Sequence, residues 1–161
     1  MLPSPSKQAL KDELMRLLAV ELETLVRALE AAREGATHEE AKPENDKDTR
    51  ALEQSYLAHG QAKRVEELRL GIAEVHSMSV RSFDANAPVA LGALVSSEEG
   101  GEMKTLFIAP HGGGTVLAAK TVQVVTPRSP LGRALIGKRA GDDCEVALAG
   151  RMRELQVTRV E

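Results

Sequence analysis

Across residues 7–34 apolar side chains recur at spacings of three and four, with neither proline nor glycine between them. Leu18, Leu22, Leu25, Leu29 and Ala32 form the seam of a coiled coil, and Leu10, Leu14 and Leu17 form an earlier seam offset by one residue. Ser6 is placed to cap this helix and Gly35 to stop it. A second stretch of the same period runs from Pro43 or Glu44 to Met78. Its seam, Ala51, Gln54, Ala58, Gln61, Val65, Leu68, Ile72 and Val75, is small or polar at the start and apolar at the end. Pro43 suits a first helical position, and Glu44 complements the helix dipole. Folded back on each other, the two stretches predict an antiparallel coiled-coil hairpin with residues 39–48 at its tip.

After Met78 the periodicity changes, and stretches rich in Val, Thr, Leu and Ile are separated by turn residues. Residues 79–84, 89–96, 103–109, 115–125, 144–149 and 153–160 are predicted strands, with a tight turn at Gly150-Arg151 before the last. Ser129 and Pro130 read as N-cap and first residue of a short helix through Ile136, ended by Gly137. The expected fold class is α+β in two domains: a helical hairpin over residues 1–78, and a small antiparallel sheet with one short helix over residues 79–161.

Composition narrows the function. The 161 residues are 42% apolar and 28% charged, which describes a folded soluble chain. Tyr56, Phe83 and Phe107 are the only aromatics, which argues against an aromatic-lined pocket or a base-stacking platform. A net charge of -3 gives no overall pull toward nucleic acid. Cys144 is the sole cysteine, so an intrachain disulfide and a cysteine-cluster zinc site are excluded. Residues 1–6 do not read as a signal peptide, and no apolar run spans a bilayer. A cytoplasmic protein with no membrane partner is expected.

Nucleophilic chemistry finds no support. His38, His59, His76 and His111 are scattered, and the glycines at 112–114 lack the lysine of a phosphate loop. Carboxylates, by contrast, gather at residues 39–48. Glu44 and Asp48 are four apart and share a helix face, with Glu40 and Asp46 close in sequence. Such groups are hard oxygen ligands suited to magnesium, yet too few for a complete shell, so an ion would be shared with another molecule. The alternative is a solvated turn whose acids favour a helix N-terminus.

Residues 122–142 contain Ser129-Pro130-Leu131-Gly132-Arg133-Ala134-Leu135-Ile136-Gly137-Lys138 and then Gly141-Asp142. This run resembles the signature of the Gre transcript cleavage factors. Ala32-Arg33-Glu34, Glu44-Asn45 and Glu53-Gln54 also fall where that family has the same residues. The resemblance covers nearly the whole chain and is weakest over residues 97–121. It implies an FKBP-like C-terminal domain that docks at the rim of the secondary channel of bacterial RNA polymerase, with Ser129, Pro130, Arg133 and Lys138 as candidate contacts. It also implies a coiled coil that enters the channel and tip acids that help hold a magnesium ion shared with the polymerase. The polymerase's own two-metal site then cleaves backtracked RNA, so this chain would be a cofactor of catalysis and not itself an enzyme.

Glu44 matches the family's tip glutamate, whereas Ala41 stands where the family has an aspartate. The second carboxylate is therefore open among Glu40, Asp46 and Asp48. Lys47, Arg50 and Arg64 are candidates for the nascent RNA 3′ end, or ordinary solvated helix charges among Glu53, Glu66 and Glu67. A monomer is expected. The alternative function is a Gre-like regulator that occupies the channel without stimulating cleavage. Prolyl isomerisation would need more aromatics than Phe83 and Phe107.

Overall fold

Two long helices open the chain in a computed structural model that describes residues 3–40 and 49–161, with side chains outside residues 36–51 and Gln54. α1 is Lys7–Glu40 and α2 is Thr49–Ser77. Ser6 starts α1 as expected: its hydroxyl accepts from the Ala9 N–H at 3.1 Å. The stop expected at Gly35 does not occur, because α1 continues through it to Glu40. A lone helical glycine costs about 1 kcal/mol against alanine, too little to end a helix bonded on both sides. The expected start of the second helix at Pro43 or Glu44 lies outside the described residues.

The chain divides into two compact units, one of Arg16–Ile72 and one of Met1–Met15 with Ala73–Glu161. In the first, Leu18 and Leu29 of α1 and Val65 and Leu68 of α2 are buried. All four are predicted seam positions, and in a unit of two helices each seam is the cover for the other. The Gln61 side-chain oxygen is buried there without a hydrogen-bond partner among the described residues.

The second unit contains the roots of both helices, so they run antiparallel. Lys11 Nζ donates to the carbonyls of His76 at 2.8 Å and Met78 at 2.7 Å. A lysine on α1 thereby satisfies backbone acceptors that the end of α2 leaves open. Lys7 Nζ donates to the Arg81 carbonyl, and the Lys7 and Arg81 cations each lie 4.6 Å from the Phe83 ring centroid. Residues 79–84, expected as a strand, are instead irregular and mostly exposed. They pair with no strand among the described residues.

The sheet is built from β1 (Leu94–Glu99), β2 (Glu102–Ile108), β3 (Val116–Leu117), β4 (Val122–Val125), β5 (Asp143–Leu148) and β6 (Arg151–Val160), in the order β3-β4-β2-β1-β6-β5. It is not wholly antiparallel: β2 and β4 pair in parallel. Residues 89–93, expected to open a strand, form a turn with Gly92 at φ +86°. The single strand expected over residues 115–125 is two strands, because Ala118, Ala119 and Lys120 take φ of 50°, 53° and 71°. Three successive left-handed residues that are not glycine cost roughly 1–2 kcal/mol each. The hairpin between β5 and β6 turns at Ala149-Gly150, one residue earlier than expected.

One face of the sheet, with Val95, Leu106, Ile108, Val125, Val146, Leu155 and Val157, packs with Leu135 of α3 (Pro130–Leu135) into a single core. Leu94, Phe107, Leu117, Val122 and Val124 are also buried. Leu94 pairs with Phe107, Phe107 with Val124, and Leu117 with Val122, so these five share the opposite face. Burying a leucine or valine stabilises by about 1.5–3 kcal/mol, and the two-sided sheet accounts for the fold despite so few aromatics.

Candidate docking site and tip residues

The motif Ser129 to Lys138 folds into a capped helical turn anchored to the sheet. Ser129 Oγ accepts from the Gly132 N–H at 3.0 Å and donates to the Thr126 carbonyl at 2.8 Å. Pro130 occupies the first turn of α3, where its missing N–H costs nothing. Beyond the helix, Gly137 N–H donates to Val89 O at 2.9 Å, and Val89 N–H donates to Lys138 O at 2.8 Å. Gly141 N–H donates to Val157 O at 2.7 Å, and Asp142 Oδ2 accepts from the Arg139 N–H at 2.8 Å. The Ser129 and Asp142 side chains thus brace the backbone of this segment, and Arg133 is exposed on the surface of α3.

Gly132 was not singled out in the sequence. A Cβ there would lie 1.8 Å from the Thr126 carbonyl oxygen, so the helix approaches this loop as only glycine permits. A small residue two places after a proline has no period to mark it. The contact became visible only with the loop in place.

A groove of about 800 Å³ borders this motif, lined by Met78, Ser79, Leu91, Pro110 and Pro127, with Glu74, Arg81 and Arg128 among its charged residues. Leu91 is 44% exposed at this groove, an apolar side chain of the kind that docking surfaces use. Arg81 and Arg128 give it two cations against one nearby acid. Cys144 lies on β5 opposite Leu155 and is buried in the core, and burial pushes its thiol pKa up, so it is a core residue and not a nucleophile.

The carboxylates Glu44, Asp46 and Asp48, with Lys47, lie outside the described residues. Glu40 is the last residue of α1 and Arg50 lies in the first turn of α2, and the side chains of both are likewise outside them. Arg64 is exposed on α2, near an ion pair between Arg69 and Glu66 at 2.8 Å. Among the described residues no group of three or more His, Cys, Asp or Glu could hold a metal ion. Ser129, Pro130 and Arg133 thus lie on α3 and its cap and Lys138 in the loop after it, while the tip acids lie outside the described residues.

The family model "Transcription elongation factor, GreA/GreB, C-term" matches residues 85–161, which hold the sheet, α3 and the motif. Transcription elongation factor GreA of Cereibacter sphaeroides is 35% identical over 154 residues, covering 94% of this chain and 90% of that protein. The GreA proteins of Rhodospirillum rubrum and Alkalilimnicola ehrlichii are 33% and 30% identical, covering 94% and 95% of this chain and 90% and 91% of those proteins. The crystal structure of GreA factor homolog 1 from Thermus thermophilus aligns over 91% of this chain and 94% of that one, with 20% identity and a TM-score of 0.40. The class is that of transcription elongation factors. The chain belongs to the GreA/GreB family.

Proposed function

We propose that this protein binds bacterial RNA polymerase, inserts its helical hairpin into the secondary channel and stimulates cleavage of backtracked RNA by the polymerase. The observation that carries the reading is the anchored Ser129–Lys138 motif beside an apolar groove with two arginines, in a chain whose family likeness extends over the hairpin as well. The groove and the exposed Arg133 dock the factor. Glu44, with one of Glu40, Asp46 or Asp48, supplies carboxylate oxygens that suit a magnesium ion shared with the polymerase. Lys47, Arg50 and Arg64 offer cations to the RNA 3′ segment. The factor acts as a cytoplasmic monomer and performs no catalysis alone.

The test is a stalled, backtracked complex in which RNA shortening is followed as the factor is added. Wild-type factor is expected to accelerate shortening, and Glu44→Ala to reduce that acceleration by roughly a hundredfold, the scale of a lost electrostatic contact at a reacting centre. No shortening at saturating factor overturns the reading. Parallel Glu40→Ala, Asp46→Ala and Asp48→Ala variants identify the second carboxylate. A second reading, channel occupancy without cleavage, has Ala41 in its favour, because the family's tip aspartate is replaced there. Inhibition of nucleotide addition by a non-cleaving factor supports that alternative.

A further inference from the structure

The turn between β3 and β4 sets three consecutive residues, Ala118, Ala119 and Lys120, in the left-handed region without a glycine among them. Its internal bonds are few: Thr121 N–H is shared between the carbonyls of Leu117 at 3.1 Å and Ala118 at 3.2 Å, and Thr121 Oγ1 donates to the Ala118 carbonyl at 2.7 Å. One further bond comes from 105 residues away in sequence. Glu13 Oε2, on the first turns of α1, accepts from the Ala118 N–H at 3.0 Å in a partly buried contact. A carboxylate accepting from a backbone amide is a charge-assisted bond, stronger than the neutral bonds inside the turn. Leu117, immediately before the turn, is fully buried.

We propose that Glu13 is a positioning residue: its carboxylate holds the left-handed turn, and the turn in exchange fixes the root of α1 on the sheet. The turn holds its left-handed residues with few bonds of its own. The α1 root buries Leu10 and Leu14, while Lys7 and Lys11 tie it to backbone carbonyls of residues 76–81 and Lys7 also lies over the Phe83 ring. Glu13 alone among these contacts reaches from α1 into the β3–β4 hairpin. The inference rests on the proposed cleavage function for its consequence: a factor that docks by its sheet and acts by its hairpin needs the helix root held in register.

The full chain is tested as Glu13→Ala, Glu13→Gln and Glu13→Ala with Ala119→Gly. Amide hydrogen exchange is read at Thr121, whose N–H bonds the Leu117 and Ala118 carbonyls, and at Val157 on β6. In Glu13→Ala, exchange at Thr121 is expected to rise by roughly tenfold while Val157 is unchanged, the pattern of local rather than global opening. Glu13→Gln keeps an acceptor and is expected to retain most of the protection. Adding Ala119→Gly, which removes the steric cost of the left-handed conformation, is expected to restore it. Unchanged exchange at Thr121, or equal loss at both amides, overturns the assignment.

Cleavage assays separate docking from positioning. Glu13→Ala is expected to leave the half-saturating factor concentration unchanged and to lower the maximal rate by roughly tenfold to a hundredfold, the scale of a small misplacement near a reacting centre. A turn that opens with no change in maximal rate overturns the positioning role. A wild-type factor that produces no cleavage overturns the proposed function, while the exchange measurements still decide the Glu13 contact.

Discussion

At position 132 one added methyl group would meet the Thr126 carbonyl at 1.8 Å, well inside any tolerable contact. At position 60, on the exposed side of α2, the same methyl would meet nothing within 4 Å. The two glycines therefore predict opposite outcomes. Gly132→Ala is expected to destabilise by about 3 kcal/mol or more, through forced separation of α3 from the loop that Ser129 ties to it. Gly60→Ala is expected to stabilise by up to about 1 kcal/mol, because alanine is the better helix former. Denaturant midpoints of the two variants check this directly, and equal midpoints would contradict it. Ser129 and Pro130 were legible in the sequence because capping is settled within four residues. Gly132 was not, since its partner sits in a loop whose position depends on the whole sheet.

Between strands, the ion cluster of Glu99 shows how elements far apart in the chain are fastened. Glu99 ends β1, Lys104 lies on β2 with Nζ at 2.7 Å from the carboxylate, and Arg153 on β6 bonds it through two nitrogens. The Arg153 hydrogen bonds first, and Lys104 second, hold the Glu99 pKa down to about 2 from its usual 4.5. A carboxyl with a depressed folded pKa contributes stability above its unfolded value, and that contribution is lost as pH falls from 4.5 toward 2. Solvent around the partly exposed Arg153 and Lys104 keeps the effect on the order of 1 kcal/mol. Unfolding midpoints of wild type and Arg153→Met are expected to differ near neutral pH and to converge at the acid end of that window. A difference that persists at the acid end would show that packing, not charge, is responsible. Richness in Val, Thr, Leu and Ile between turn residues made β1, β2, β5 and β6 legible, whereas β3 and β4 were expected as one strand over residues 115–125. Residues 79–84 were expected as a strand too, yet they find no pairing partner among the described residues, and pairing is a property of the sheet.

Taken as a whole, the protein combines a unit of paired helices with a sheet unit that carries the helix roots, the motif and the groove. If the groove is the docking surface, Leu91→Asp places a charge where an apolar contact is needed. It is expected to raise the half-saturating factor concentration in the cleavage assay by roughly tenfold, equivalent to about 1.4 kcal/mol of docking free energy, with the maximal rate unchanged. An unchanged half-saturating concentration would move the docking surface elsewhere. Periodicity specified two long helices, and Val, Thr, Leu and Ile enrichment between turn residues most strands, because both are local patterns that need no distant partner to be recognised. The Ser-Pro motif and the Glu44-Asn45 pair gave the family by resemblance, since they are contiguous runs. Folding in three dimensions settled the parallel pairing of β2 and β4, the groove, the closeness of Gly132 to Thr126 and the reach of Glu13 to Ala118. Each of these joins residues through space, at separations for which the chain carries no local pattern, so packing had to place them.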